Sequence, residues 1–162
     1  MKVAIASDSH GSLDRLGELM SNLTKAGVDY LVHAGDFVSY EVDEIFRNYP
    51  NITTFISRGN CDVNEEVLEK VISLPHVTLD EVIYLELEGV SIAASHIEGI
   101  AQRDSAEKNR KVDIFIHGHT HRYKRENREN NLILNPGALC DDGNYLLLSL
   151  PDLDSKIKRF DQ

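Results

Sequence analysis

The sequence predicts an α/β protein in which two packed mixed β-sheets are flanked by helices, an αββα sandwich. The first half alternates short apolar runs with amphipathic stretches, a pattern typical of parallel strands joined by helices. The second half contains several short apolar or alternating runs separated by turn residues, which indicates further strands. With 162 residues the chain has room for one domain with a sizeable core, and we expect a single domain over 1–162.

The elements of the first half follow a β-α-β-α-β order. Lys2–Ser7 is an apolar run that predicts a strand, and Leu13–Lys25 places its leucines at helical spacing. Ser12 is a candidate cap for that helix, and Gly27 is a candidate stop. The pattern continues with a strand at Tyr30–His33, a helix at Val38–Arg47, a strand at Ile52–Ser57 and a helix at Asn64–Ile72. This order predicts a parallel sheet.

The second half is predicted to form a hairpin, a helix and five further strands. Glu88-Gly89 separates the two arms of the hairpin. The predicted elements are the strands Val82–Leu87 and Val90–Ala94, the helix Ile100–Arg110, and the strands Val112–Ile116, Tyr123–Arg128, Leu132–Leu134, Tyr145–Leu150 and Lys156–Phe160. We expect the last four to be successive antiparallel strands, with a hairpin tip at 129–131.

Composition limits the partners and the location of the protein. The formal net charge is −10, which predicts a surface that repels nucleic acids. The one basic cluster, 122–128, alternates in the manner of a solvated strand face. No segment approaches the roughly 20 apolar residues of a membrane span, and the start does not resemble a signal peptide, so we expect no membrane association. The only cysteines, Cys61 and Cys140, favour a reducing, cytoplasmic location.

Polar motifs follow the ends of several predicted strands. They are Asp8-Ser9-His10, Gly35-Asp36, Gly59-Asn60-Cys61-Asp62, His96 and Gly118-His119-Thr120-His121. Because open α/β sheets bind ligands outside the carboxyl ends of their strands, these side chains can meet at one edge. A single aspartate in such a loop is usually a helix cap or a turn former, and a single histidine is usually a surface or packing residue. Their recurrence at strand ends instead favours a metal site with nitrogen and oxygen donors.

In this order the motifs resemble those of the calcineurin-like metallophosphoesterases, most closely their small bacterial and archaeal phosphodiesterase branch, over residues 1–150. The resemblance implies one cation held by Asp8, His10, Asp36 and His121, and a second held by Asp36, Asn60, His96 and His119. It implies that Asp36 bridges the two cations, and that Asp36, Asn60 and His96 are central to catalysis. The implied reaction is attack on phosphorus by a hydroxide that bridges the metals. The donor types suit Mn²⁺, Fe²⁺, Co²⁺, Ni²⁺ or Zn²⁺ and do not choose among them.

Three positions near these motifs are candidate substrate contacts. Cys61 stands where many larger relatives have a histidine thought to protonate the leaving group, so we expect a preference for aryl or otherwise activated esters; the alternative is a small packing residue. Arg58 either contacts a phosphate oxygen or pairs with an acid such as Asp62. The segment Ile97-Glu98 replaces residues of a common His-Gly-His motif. Glu98 either disfavours dianionic substrates or only shapes its loop.

The remaining three histidines are expected to have supporting roles. His33 and His117 lie in or at the end of apolar strand patterns, and His76 follows Pro75 in a connection. His117 is a candidate hydrogen-bond partner for His119 or His121, since ligand histidines usually need one.

The sequence therefore predicts a metal-dependent phosphoesterase of a small substrate, most specifically a phosphodiesterase. A phosphomonoesterase is the alternative within the same fold, but it needs extra cations, and only Arg58 and Arg122 are placed to supply them. A further alternative is a non-catalytic protein-binding scaffold similar to the retromer subunit of this fold. The sequence is compatible with a homo-oligomer.

Overall fold

Eleven strands and five helices make up the part of the chain that the computed structural model describes, residues 1–160. In chain order they are β1 (Lys2–Ala6), α1 (Leu13–Lys25), β2 (Tyr30–His33), α2 (Val42–Arg47), β3 (Thr53–Ser57), α3 (Glu65–Ile72), β4 (Val77–Asp80), β5 (Ile83–Leu87), β6 (Val90–Ala94), α4 (Ile100–Glu107), β7 (Ile114–Ile116), β8 (Tyr123–Asn127), β9 (Leu132–Pro136), α5 (Leu139–Asp142), β10 (Tyr145–Ser149) and β11 (Asp154–Lys158). None of these helices is long and apolar enough to span a membrane.

The strands form two mixed sheets. The six-stranded sheet has the order β11-β10-β1-β2-β3-β4, in which β1 to β4 run parallel and β10 and β11 are antiparallel to their neighbours. The five-stranded sheet has the order β5-β6-β7-β9-β8, with a parallel centre and antiparallel edges. The predicted parallel sheet and the predicted hairpin at Glu88-Gly89 are both confirmed.

Alternating side chains along the strands divide the interior into three apolar layers. In β1, Val3 and Ile5 face the layer between the sheets, whereas Ala4 and Ala6 pack under the helices α1 to α3. In the second sheet Phe115 faces α4, while its neighbours in β7 point between the sheets. This period of two is the geometry that puts successive side chains on opposite faces of a strand. The predicted αββα sandwich is therefore confirmed.

Two helices are shorter than their sequence patterns predict. Helix α2 was expected from Val38, but Glu41 adopts a left-handed conformation with φ of 69° and the helix begins at Val42. The backbone N–H of Val38 instead donates to the carboxylate of Asp62. Helix α4 was expected to continue to Arg110 and ends at Glu107, because Asn109 has a φ of 52°. In both cases a local left-handed residue marks the helix boundary.

The prediction of four successive antiparallel strands at the end of the chain is wrong. Strands β8 and β9 do form an antiparallel pair, and so do β10 and β11. However, β9 lies parallel to β7, and β10 crosses to the other sheet, where it pairs antiparallel with β1. Strand β4 and the short helix α5 were not predicted. The crossing matters because α5, which connects β9 to β10, passes beside the loop of Asp8.

Candidate metal centre

The predicted ligands come together where the two sheets meet at the carboxyl ends of their strands. The loops after β1, β2 and β3 supply Asp8, Asp36 and Asn60, and the loops after β6 and β7 supply the histidines of the second sheet. The loops are joined by backbone hydrogen bonds, from Asp8 N–H to Gly35 O at 2.9 Å and from Gly118 N–H to His96 O at 3.0 Å. The site is thus built across the two sheets.

One group of donors lies around Asp8. The Nε2 atoms of His10 and His121 are 3.1 Å apart, and they lie 3.7 and 3.4 Å from Asp8 Oδ1. Two donors bound to one cation at 2.0 to 2.1 Å would be about 2.8 to 3.4 Å apart, the lower values for octahedral and the higher for tetrahedral geometry. The observed separations of these three atoms are close to that range. This group fits a divalent cation with mixed nitrogen and oxygen ligands.

The carboxylate of Asp8 provides an independent indication of a cation. Its Oδ2 accepts the hydroxyl of Ser7 at 2.6 Å and the backbone N–H of His119 at 3.1 Å. Its Oδ1 is buried and has no hydrogen-bond partner within the described residues. An unpaired buried oxygen of a charged group is costly, so it needs a compensating positive charge. The unpaired atom is the one that faces His10 and His121.

A second group of donors lies around His96. Its Nε2 is 3.2 Å from Asp36 Oδ2 and 3.3 Å from Nδ1 of His119. Asn60 is adjacent, since it lines the same cavity as His96, and its amide nitrogen lies 3.4 Å from Cys61 Sγ. The structure therefore brings Asp36, His96 and His119 together, and it places Asn60 on the wall of a cavity that His96 also lines, with the Asn60 amide turned towards the thiol.

Asp36 lies between the two groups. Its Oδ2 is 3.6 Å from His10 Nε2 and 3.2 Å from His96 Nε2, so one oxygen faces histidines of both groups. Its Oδ1 accepts the backbone N–H of Cys61 at 2.8 Å, which holds the carboxylate in this orientation. This is the position that a bridging ligand requires.

Left-handed backbone conformations are concentrated at this centre. Of the nine non-glycine residues with positive φ in the described chain, five are predicted ligands: Asp8, His10, Asp36, His119 and His121. Such a conformation costs an L-residue roughly 1 to 2 kcal/mol relative to an ordinary one. Strain of this kind persists where the surrounding structure enforces it, and it is typical of functional sites.

Two glycines allow the loops to approach each other. A Cβ on Gly59 would overlap Asp36 Oδ1, and a Cβ on Gly118 would overlap the hydroxyl of Ser7. At both positions the space that a Cβ would occupy is already filled by atoms from other loops of the site. Glycine is therefore required at both positions if Asp8 and Asp36 are to keep their places.

Two of the predicted ligand histidines have hydrogen-bond partners that fix the orientation of the ring. Nδ1 of His96 lies 2.7 Å from the carbonyl oxygen of Ala34 and donates to it, which leaves the Nε2 lone pair facing Asp36. Nδ1 of His121 lies 2.8 Å from Asp141 Oδ2, and this hydrogen bond lowers the pKa of Asp141. Such partners set the tautomer of a ligand histidine. The sequence analysis did not identify Asp141, which belongs to the unpredicted helix α5.

His117 does not orient a ligand histidine directly. Its ring is buried, with Nδ1 3.2 Å from Gly118 O and Nε2 3.6 Å from Glu98. Asn135 contacts the same region, because its amide donates to Gly118 O at 2.8 Å and to the Thr120 hydroxyl at 3.1 Å. His117 and Asn135 thus support the backbone of the loop that carries His119 and His121.

The other two supporting histidines lie in different surroundings. His33 is fully buried, with Nε2 3.2 Å from the hydroxyl of Ser9. Burial and the neighbouring His96 lower the pKa of His33 to about 3, so its ring is neutral at physiological pH. His76 contacts the carbonyl oxygen of Phe46 at 3.0 Å.

Cys61 lies close to the first group of donors. Its sulfur is within 4.8 Å of donor atoms of His10 and Asp36. Partial burial, the hydrogen bond with Asp36 and the nearby carboxylates raise the pKa of the Cys61 thiol. The side chain is exposed, so it does not serve as a packing residue in the core.

Arg58 lies beside two of the predicted ligands, whereas the carboxylate of Glu98 is directed away from them. Arg58 lines the cavity shared by Asn60 and His96, and its acidic partner is Glu65 at 2.6 Å, while only the backbone oxygen of Asp62 accepts its Nε–H. Glu98 is directed elsewhere: its carboxylate pairs with Lys124 at 2.6 Å and faces His117, and these contacts lower its pKa. Within residues 1–160 the structure does not place Glu98 with the metal ligands.

The fold and the donor set together define a metallophosphoesterase. Residues 1–150 match the family model of the calcineurin-like phosphoesterase superfamily domain, and the chain belongs to this family. It is similar to phosphodiesterase MJ0936 of Methanocaldococcus jannaschii, with 29% identity over 143 residues that cover 86% of this chain and 85% of the relative. It is similar to phosphodiesterase YfcE of Escherichia coli, with 26% identity over 152 residues that cover 86% of this chain and 79% of the relative.

A solved structure supports the fold. The structure of a novel archaeal phosphodiesterase superposes with a TM-score of 0.83 at 23% identity, covering 99% of this chain and 100% of that one. At that level of identity the likeness shows the fold. The resemblance inferred from the motifs, to small bacterial and archaeal phosphodiesterases, is confirmed by the family match and the two relatives.

Proposed function

We propose that this protein hydrolyses phosphodiesters at a centre of two divalent cations. The observation that carries the proposal is the position of Asp36, whose Oδ2 faces both His10 at 3.6 Å and His96 at 3.2 Å. One carboxylate oxygen directed at two groups of nitrogen donors is the arrangement that a pair of cations about 3.5 to 4 Å apart requires.

The residues would divide between the two cations as the family resemblance implies. Asp8, His10 and His121 would complete the first site, and Asn60, His96 and His119 would complete the second, with Asp36 shared. Cations in these positions would lower the pKa of a bound water and polarise the phosphate oxygens, which supplies a nucleophile and stabilises the developing charge. The chain's own contribution is to fix the donors before substrate arrives. His96 is held by its hydrogen bond to the Ala34 carbonyl oxygen, and His121 is held by its hydrogen bond with Asp141.

The charge balance favours a phosphoester anion at this centre. Two divalent cations outweigh the two ligand carboxylates Asp8 and Asp36, so the loaded centre is positive although the chain has a formal net charge of −10. A local field of this kind attracts an anion in spite of the overall charge.

The surroundings of the centre support a diester more than a monoester. A phosphomonoester dianion needs additional cationic groups, and Arg58, one of the two basic residues expected to help, is already paired with Glu65. A diester carries one negative charge and is less dependent on such groups. Cys61 beside Asp36 is a weaker proton donor than an imidazolium, which favours esters whose leaving group needs little protonation.

The proposal is tested by hydrolysis of bis(p-nitrophenyl) phosphate by the purified full chain, with added Mn²⁺ and, separately, with chelator. We expect hydrolysis that requires the cation, is abolished by chelator, and is faster than that of p-nitrophenyl phosphate. The matched variant is Asp36→Asn, which keeps the size of the side chain and removes the shared charge. No metal-dependent hydrolysis in the wild type would contradict the proposal and favour the scaffold alternative. Equal rates in wild type and Asp36→Asn would contradict a centre of two cations that share Asp36.

A further inference from the structure

A cavity of about 290 Å³ lies directly beside the proposed second cation site. Asn60 and His96 form part of its wall, and Val63, Ile97 and Ile100 line it with apolar side chains. These three side chains come from the loop after β3, the loop after β6 and the start of α4. The cavity therefore begins at the metal centre and continues over an apolar surface.

The apolar residues of this cavity are not explained by the packing of the fold. Val63 is 72% exposed and Ile97 is 40% exposed. Neither belongs to any of the three apolar layers of the sandwich. Exposed apolar side chains that gather around a concave surface next to polar groups are typical of a ligand site.

Arg58 and Glu81 add polar groups of opposite charge to the same cavity. The guanidinium of Arg58 is held by two contacts, from Nε–H to the Asp62 carbonyl oxygen at 2.9 Å and from Nη2 to Glu65 at 2.6 Å. These contacts fix its position before any ligand binds. A guanidinium held in this way can lie against a flat ring or donate a hydrogen bond to its edge.

We propose that this cavity binds an aromatic ring carried by the substrate as one of its ester substituents, and that it sets the specificity of the enzyme for aryl-substituted phosphodiesters. The inference rests on the proposed function, because it needs the phosphate to be held at the metal centre. A cavity of about 150 Å³ is enough to hold benzene in a protein interior, so the volume here accommodates a ring and its connection to phosphorus. Val63, Ile97 and Ile100 would remove one face of the ring from water.

Binding of two phosphonates to the Zn²⁺-loaded full chain tests this inference without relying on turnover. Phenylphosphonate and methylphosphonate have the same anionic group and differ in the ring. We expect phenylphosphonate to bind at least about tenfold more tightly, because the ring adds apolar area that is removed from water. We also expect the methyl resonances of Val63, Ile97 and Ile100 to shift with the phenyl compound and not with the methyl compound.

Val63→Thr and Ile97→Thr are suitable variants because threonine keeps the β-branched shape and replaces an apolar group with a hydroxyl. Each should reduce the preference for phenylphosphonate by roughly threefold or more and leave the affinity for methylphosphonate unchanged. Ile72→Thr is the matched control: Ile72 is 53% exposed and lies outside the cavity, so the preference should stay at the wild-type value.

The outcomes separate this inference from the proposed function. Equal affinities for the two phosphonates, or a preference that neither Val63→Thr nor Ile97→Thr reduces, would overturn the ring site even if chelator-sensitive hydrolysis is observed. Ring-specific shifts in a chain that shows no metal-dependent hydrolysis would support the ring site and contradict the proposed function.

Discussion

The carboxylate of Asp62 accepts the backbone N–H of Asp36 at 2.9 Å, although the two residues belong to different loops. The same buried carboxylate accepts the N–H groups of Phe37, Val38 and Gly59 at 2.7 to 2.9 Å. One side chain thus fixes the loops that follow β2 and β3. Hydrogen bonds to a charged acceptor contribute roughly 1.5 to 3 kcal/mol each, so Asp62 is a major determinant of where Asp36 lies.

We predict that Asp62→Asn lowers both stability and metal affinity. An amide has one acceptor oxygen and would turn an N–H₂ group towards backbone donors, so at least two of the four hydrogen bonds are lost. The free energy of unfolding should fall on the order of 2 to 4 kcal/mol, and metal affinity by about 10- to 100-fold. Thermal unfolding and metal titration measure the two effects. Asp152→Asn, at an exposed turn, is the control and should change neither.

We predict that Asp36→Asn reduces metal content more than Asn60→Ala does. The carboxylate of Asp36 faces both groups of donors, whereas Asn60 lines the cavity beside His96 and is expected to bind the second cation alone. Elemental analysis after equilibration with Mn²⁺ should find Asp36→Asn nearly free of metal and Asn60→Ala with the first site still occupied. Equal metal content and equal rates of hydrolysis in the two variants would show that Asp36 is not a shared ligand.

We predict that alanine abolishes activity at Gly59 and increases the stability of the fold at Gly17. Gly59→Ala should abolish metal-dependent activity, because the added Cβ would displace the Asp36 carboxylate. Gly17 lies in the middle of α1, and a Cβ added there would be in ordinary contact with Cδ1 of Ile45 at 3.7 Å. Gly17→Ala should therefore raise the free energy of unfolding by roughly 0.5 to 1 kcal/mol. Thermal unfolding and a hydrolysis assay on both variants check this. Full activity in Gly59→Ala would mean that the loop can move aside.

We predict that His119→Gly makes the metal-free chain slightly more stable while abolishing activity. His119 is exposed and has a φ of 66°, a conformation that glycine adopts without strain. Relief of that strain should exceed the added entropy of the unfolded glycine by about 0.5 kcal/mol. His76→Gly should instead be destabilising, since His76 does not have a positive φ and bonds to the Phe46 carbonyl. A lower melting temperature for metal-free His119→Gly would argue against strain at this ligand.

We predict that His33 makes the metal-free protein sensitive to acid. Its folded-state pKa is lowered to about 3 from an ordinary value of 6.5, so the unfolded chain binds a proton more readily. The stability due to the neutral ring is fully present above pH 6.5, and it is lost as the pH falls from 6.5 towards 3 at up to about 1.4 kcal/mol per unit. His33→Gln keeps a hydrogen-bonding group near Ser9 and does not titrate. The decrease in melting temperature between pH 7.5 and 5 should be smaller in this variant, and an equal decrease would contradict the assignment.

The sequence by itself determined the layers of the fold and the polar motifs that are the candidate metal ligands. Short apolar runs such as β1 and helical spacing in α1 are local properties, so most of the strands, the parallel sheet and α1 could be predicted. The rule that ligands bind beyond the carboxyl ends of parallel strands placed Asp8, Asp36 and Asn60 at one edge. Periodicity does not specify which strands pair, so the expectation that β9 and β10 are successive antiparallel neighbours is wrong.

The tertiary structure decided which atoms of the site face each other and which residues hold them there. Asp141 contacts His121 because α5 lies next to the loop that carries His121. Asp62 accepts the backbone N–H of Asp36 because β2 and β3 are neighbouring strands. Glu98 is two residues from His96 in sequence, yet its carboxylate pairs with Lys124 of β8. Contacts of this kind depend on the packing of segments that are distant in the chain. Local spacing therefore identifies the candidate ligands, whereas their orientation and their supporting hydrogen bonds arise from the way the two sheets pack.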